Sequence, residues 1–251
     1  MKNKKILLAL VSTLVVLFQS CSFFDYDTLD WPAETLEGTI TDQDGEGIRV
    51  EFGGGARITL MDYGSHDNPE PQYLTVKNDG SFINTKIFES TYDIIAEGPF
   101  VPMESNTIES FTVKGTKSIN FVVEPFLKLD LIGEPVVNPD GSISVSFIMG
   151  RGTENEDYHT ELQDVRLFIS TTQYVGNSDK LDLQSPTISG SDATAMIGQQ
   201  NTMTTNIVGV DPLDQGRPYY LRVGARLNYT GDWGSNSYCY TPVVKVVFTT
   251  K

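Results

Sequence analysis

From Thr35 onward, hydrophobic and polar residues alternate over short stretches broken by turn residues. Ala56-Arg57-Ile58-Thr59-Leu60-Met61, Tyr73-Leu74-Thr75-Val76, Tyr92-Asp93-Ile94-Ile95-Ala96 and Ile119-Asn120-Phe121-Val122-Val123 each read as a strand. Side chains two apart share one face of a pleat, so such a stretch buries one face. The pairs Asp44-Gly45 and Asp79-Gly80 supply the positive φ of tight turns. Gly53-Gly54-Gly55, between strands, reads as a bend or bulge. The second half repeats the pattern. Ile143, Val145, Phe147 and Met149 share a face, as do Val165, Leu167 and Ile169. Tyr219, Leu221, Val223, Ala225 and Leu227 form the longest alternating run, with Arg222 and Arg226 on its other face; Val244, Val246 and Phe248 close the chain. No long stretch has helical period. The pattern predicts an all-β protein of two tandem β-sandwich domains. The first spans 35–124 with five or six strands, and the second 125–251, with Glu124-Pro125-Phe126 as a short hinge. Ser170 to Thr202 reads as a long polar insertion with one short helix from Asp192.

The first twenty-one residues follow a different pattern. Lys2, Lys4 and Lys5 precede an apolar run from Ile6 to Phe18, which ends at Ser20-Cys21. The run is short of the ~20 residues of a membrane span and suits a secretory signal. It resembles a bacterial lipoprotein signal, although Phe18 stands where leucine is usual and Leu17 lies one residue further back. The resemblance implies a signal peptide over 1–20, cleavage before Cys21 and lipidation of that cysteine. A lipidated tether over 21–34 would then hold the chain to the outer membrane, at the cell surface. A plain signal peptide and an uncleaved anchor are the alternatives. In the tether, Asp25, Asp27 and Asp30 interleave with Phe23, Phe24, Tyr26 and Trp31.

Charge narrows the partners. The chain has 18 basic and 33 acidic residues, a formal net charge of −15. Without the three signal lysines, 15 basic residues face the same 33 acidic ones, giving −18. Such a chain does not bind nucleic acid or anionic lipid by general electrostatics, so its membrane contact is expected through the lipid anchor. With Cys21 committed to lipid, Cys239 has no disulfide partner and is expected as a small buried hydrophobe.

Leu36-Glu37-Gly38-Thr39-Ile40-Thr41-Asp42, Asp44-Gly45, Asp79-Gly80-Ser81-Phe82 and Thr91-Tyr92-Asp93-Ile94 follow one another in an order that resembles the carboxypeptidase regulatory-like, transthyretin-type domain. Ile48 replaces the proline usual after the first turn. Leu213, Gly216 and Tyr219, followed by Arg222-Val223-Gly224-Ala225, resemble the tyrosine corner and penultimate strand of fibronectin type III domains. Signal, regulatory-like domain and fibronectin-like domain in that order resemble a family of Bacteroidetes surface lipoproteins associated with polysaccharide-utilisation systems. The resemblance implies two kinds of partner: a polysaccharide, and an outer-membrane transporter with its binding protein.

Catalytic chemistry is sparse. The two histidines, His66 and His159, fall in polar loops of different domains, so a histidine-based triad or zinc site is not expected. Asp42-x-Asp44-Gly45-x-Gly47 has the alternating oxygens of a calcium loop but no closing glutamate, so a turn is expected and no metal or other cofactor is assigned. The segment from Tyr229 to Tyr240 is the strongest binding candidate. Trp233 could stack on the apolar face of a sugar, with Asp232 and Asn236 bonding its hydroxyls and Tyr238 completing the surround. The alternative is an aromatic plug over the end of the core or against the other domain. The expected function is a non-catalytic surface lipoprotein, either an accessory glycan-binding or transporter-docking part of a glycan-uptake system, or a structural or adhesive scaffold with a protein partner.

Overall fold

A computed structural model describes residues 31–65, 67–206 and 216–247. The signal peptide, Cys21, most of the tether, His66, Leu213 and Phe248 lie outside the described residues. Trp31 is 91% exposed.

The first sandwich has seven strands: β1(Glu34–Thr41), β2(Arg57–Asp62), β3(Gln72–Thr75), β4(Ser81–Ile87), β5(Ser90–Glu97), β6(Thr107–Val113) and β7(Thr116–Val122). The count exceeds the five or six expected. β6 buries only Val113 along its length, and Ser110 breaks its run at φ 53°, so it shows no clean alternation. The sheets run β4-β1-β7 and β3-β2-β5-β6. β1 pairs antiparallel with β4 and parallel with β7, joining the first strand to the last. A β-carbon on Gly38 would stand 1.7 Å from the Ile119 carbonyl oxygen, which explains the glycine in β1. Leu36, Ile40, Ile58, Leu60, Phe82, Tyr92, Ile94 and Phe121 fill the core between the sheets.

The second sandwich comprises β8(Leu127–Leu131), β9(Val136–Val137), β10(Ile143–Arg151), β11(Leu162–Ser170), β12(Thr187–Ser189), α1(Gly190–Thr194), β13(Gln200–Thr204), β14(Pro218–Leu227), β15(Cys239–Tyr240) and β16(Val244–Val247). One sheet is β13-β10-β8, with β9 also on β10; the other is β12-β11-β14-β15, with β16 also on β14. The alternating residues read from the sequence, from Ile143 to Met149, Val165 to Ile169 and Tyr219 to Leu227, all face this core. The segment 170–202 holds the short helix expected around Asp192, but it is more than a polar insertion. Its later part supplies β12, α1 and the start of β13, and α1 buries Ala193 in the core. β12 and β13 are edge strands of mostly polar, half-exposed residues, which is why alternation did not reveal them.

The expected hinge is also corrected. Val101 N–H donates to the Glu124 carbonyl (2.9 Å), Phe126 N–H to the Pro99 carbonyl (3.0 Å), and Phe100 bridges Pro125. The Phe126 ring is buried in the second core, stacked on Tyr158 at 5.2 Å. Val101, from the first half of the chain, belongs to the same cluster. Both sandwiches thus lie within one compact unit beginning at Ala33.

Candidate functional site

The face of β14 opposite its core residues is covered. Arg222 is 1% exposed: its Nη1 donates to the Val50 carbonyl (2.9 Å) and its guanidinium lies 3.6 Å from the Tyr240 ring centroid. Burial lowers the Arg222 pKa, while Tyr240 and Glu51 act in the other direction. Tyr240 N–H donates to the Arg49 carbonyl (3.2 Å), tying β15 to the first sandwich. Phe168, Val175, Tyr238 and Tyr240 form a third apolar cluster on this face.

Tyr238 was expected beside the binding tryptophan, and the structure places it in that cluster instead. It is 4% exposed, stands edge-on to Phe168 at 5.1 Å and donates its hydroxyl to Asp164 (2.5 Å). Burial and that bond hold the hydroxyl pKa well above its usual value. The reason is local: side chains two apart share a face of a strand, so Tyr238 falls on the side of Tyr240, opposite the one that puts Cys239 in the core. Cys239 is buried as expected, with its thiol 3.6 Å from the Pro99 carbonyl and its pKa pushed up to about 12 by burial.

Trp233 sits at the tip of the loop between β14 and β15. The loop is tied by Gly231 N–H to Ser235 Oγ (3.0 Å), Ser235 N–H to the Asp232 carbonyl (3.1 Å) and Ser237 N–H to the Gly234 carbonyl (2.9 Å). Gly234 has φ +77°, and a β-carbon there would lie 2.9 Å from Gly98 Cα, so glycine at this position lets the loop touch the first sandwich. Trp233 remains 37% exposed. The Arg57 guanidinium lies between two rings, 4.1 Å from the Trp233 centroid and 4.0 Å from that of Tyr73, itself 53% exposed. Glu97, opposite Arg57 in the β2–β5 register, fixes the guanidinium at 2.7 Å (Nε) and 3.3 Å (Nη2). Glu97 also accepts from the Thr59 hydroxyl. The result is a row of Tyr73, Arg57 and Trp233 drawn from both sandwiches, with each cation–π contact contributing about 0.5–2 kcal/mol.

Beside this row is a cavity of about 210 Å³, lined by Asp232, Trp233 and Ser235 from the loop and by Ile95, Glu97, Phe100, Met103, Asn106 and Thr107 from the first sandwich, among others. Asn106 is 4% exposed; its Nδ2 donates to the Val101 carbonyl (2.9 Å), and its Oδ1 has no partner. The structure thus gathers Trp233 and Asp232 at one cavity. Asn236 is exposed on the loop but does not line it. Tyr73, Arg57, Glu97 and Asn106 were not singled out from the sequence. They belong to the other sandwich, and only the docking of the loop brings them near Trp233.

A second depression, of about 140 Å³, lies where the sandwiches meet and includes Phe100, Leu127, Arg49, Asp130 and Lys128. Its basic side chains are paired within it. Lys128 Nζ lies 2.7 Å from Asp42 and 2.5 Å from Asp44, and Arg49 lies 2.9 Å from Asp130. Asp42 Oδ1 accepts from Asp44 N–H and Glu46 N–H, so the segment weighed as a calcium loop is a side-chain-capped turn closed by a lysine. Burial acts to raise the Asp42 pKa, but the Lys128 ammonium and these two N–H groups outweigh it and hold the carboxyl below its ordinary range. Among the described residues, no three His, Cys, Asp or Glu side chains group as a metal site.

No curated protein matches the chain in sequence. Among solved structures, it is similar to a DUF3823 family protein from Bacteroides uniformis, at 26% identity and TM-score 0.74, with 86% of this chain and 99% of that one covered. It is also similar to a "putative carbohydrate binding protein" from the same organism, at 27% identity and TM-score 0.70, covering 86% and 100%. A DUF3823 family protein from Parabacteroides merdae shares the fold at 22% identity and TM-score 0.66, covering 86% and 100%. These likenesses run through both sandwiches and agree with the all-β sandwich architecture. Residues 34–124, the span of the first sandwich, match the family model described as "Protein of unknown function (DUF3823) N-terminal domain".

Proposed function

We propose that this chain is a non-catalytic glycan-binding protein of the bacterial outer membrane, anchored at the cell surface through lipidated Cys21 and serving a polysaccharide-uptake system. The observation that carries this reading is the row of Tyr73, Arg57 and Trp233 beside a cavity with an unpaired amide oxygen. Aromatic faces stack on the apolar faces of sugar rings, and convergent polar groups fix hydroxyls, a combination suited to holding a carbohydrate. The likeness to a "putative carbohydrate binding protein" over 86% of the chain supports it. The four-stranded sheet of β13, β10, β8 and β9 facing the five-stranded sheet of β12, β11, β14, β15 and β16 supports the fibronectin type III-like reading of residues 125–251, and β1 to β7 support the regulatory-like reading of 35–124. Such folds are modules and carry no activity of their own, so the function is argued from the site.

The test is native affinity electrophoresis of residues 22–251 across a panel of polysaccharides, with Trp233→Ala beside the parent. At least one glycan should retard the parent and not the variant, with both showing the same circular dichroism. If no glycan retards the parent, the glycan reading fails, and a partner among outer-membrane transporter proteins becomes the object of the search.

A further inference from the structure

We infer that the cavity beside Trp233 receives the acetamido group of an N-acetylated amino sugar within a neutral glycan, an inference that rests on the glycan reading above. Its volume, about 210 Å³, is below the ~300–1,000 Å³ of sites that enclose a drug-sized molecule. It therefore suits one substituent or one sugar unit of a chain lying over the Tyr73–Trp233 row.

The chemistry of the walls selects the substituent. Asn106 is buried with Nδ2 bound to the Val101 carbonyl and Oδ1 unpaired, and a buried acceptor left without a donor is unfavourable. An amide N–H supplies the donor it lacks and asks for no acceptance in return. Ile95, Phe100 and Met103 give the cavity apolar wall, which suits a methyl group and not a ring edge carrying several hydroxyls. Ile95 and Thr107 face each other in the β5–β6 register and so lie on the same side of the sheet; Thr107, which lines the wall, carries a hydroxyl that can donate to the acetamido carbonyl. Glu97 and Asp232 also line the cavity, and Glu97 already holds Arg57. A uronic or sialic carboxylate would meet acidic oxygens with no free cation lining the cavity among the described residues.

The experiment compares matched ligands on residues 22–251, which contain the whole folded unit. Titrations use chito-oligosaccharides against cello-oligosaccharides, and N-acetylgalactosaminyl against galactosyl oligosaccharides, so that each pair differs at the acetamido position. Polygalacturonate serves as the acidic probe. At least one acetylated member should bind about ten-fold or more tightly than its hydroxyl counterpart, the scale set by one buried methyl group and a satisfied polar contact. That preference should vanish in Asn106→Leu, with Thr107→Leu, which fills the cavity from the facing strand, as the variant to use if Asn106→Leu does not fold. Trp233-dependent binding with equal affinity for both members of each pair, or tighter binding of polygalacturonate, overturns the acetamido assignment and leaves the glycan reading standing. Absence of binding to any glycan overturns both.

Discussion

Gly234→Ala tests the docking of the Trp233 loop on the first sandwich. At φ +77° a β-carbon costs about 1–2 kcal/mol in backbone strain alone. The added carbon would also stand 2.9 Å from Gly98 Cα, a backbone atom that cannot swing aside as a side-chain tip can. The loop must lift, and lifting separates Trp233 from Arg57, a contact worth about 0.5–2 kcal/mol. The expected loss is therefore about 2–4 kcal/mol, which at about 2–4 °C per kcal/mol for a unit of this size lowers the thermal midpoint by several degrees or more. The assay is thermal unfolding followed by circular dichroism, with tryptophan emission recorded in a Trp31→Phe background so that only Trp233 reports. Emission should shift to the red in the variant as the indole gains water. An unchanged midpoint together with unchanged emission would refute the close approach of Gly234 to Gly98 and, with it, the composite site.

The pinned junction predicts one unfolding transition for the two sandwiches. Circular dichroism and Trp233 emission should give coincident urea curves, whereas two resolved steps would show that the bonds from Val101 to Glu124 and Phe126 to Pro99 do not couple the halves. In residues 22–251 the sole thiol is Cys239, buried and with its pKa pushed up to about 12, so a thiol reagent at pH 8 should label it only in denaturant; rapid labelling of the native chain would contradict its burial. Asp42 has a folded pKa below its ordinary 3.8, so the folded chain binds fewer protons than the unfolded one in acid. Its contribution is present above about pH 3.8 and is lost as pH falls through the lowered folded value. Lys128→Gln should weaken that dependence, and unchanged acid-unfolding curves would argue against the pair.

Much of the fold was legible because most core strands bury one face. Tyr219 to Leu227 and Ile143 to Met149 announce themselves by alternation, and both lie where a sheet packs on its core. β12, β13 and β6 were missed or blurred because edge strands expose most of their residues and need no apolar period. The docking of the sandwiches was not legible at all. Arg222 reads as a solvent-facing residue of a half-buried strand, since nothing in its neighbours tells that the Val50 carbonyl and the Tyr240 ring will cover it. The site shares this limit: the glycines around Asp232 and Trp233 mark a tight, exposed aromatic loop, but Tyr73, Arg57 and Asn106 are ordinary strand and loop residues until the loop lands on them. Tyr238 shows the same limit: it is five residues from Trp233 in sequence, yet it is buried against Phe168 and bonded to Asp164, whereas Trp233 stays on the loop against Arg57.

The row of Tyr73, Arg57 and Trp233 belongs to neither sandwich, and this makes its inheritance indivisible. A gene fragment encoding 35–124 carries the platform without its indole, and one encoding 125–251 carries the indole without its platform. Recombination at the junction between the modules, ordinarily the harmless place to exchange them, would break the site each time. Drift in either half is answerable to the other across the seam, and a sugar lying over both rings would act as a clasp, adding its own affinity to the force that keeps the halves together.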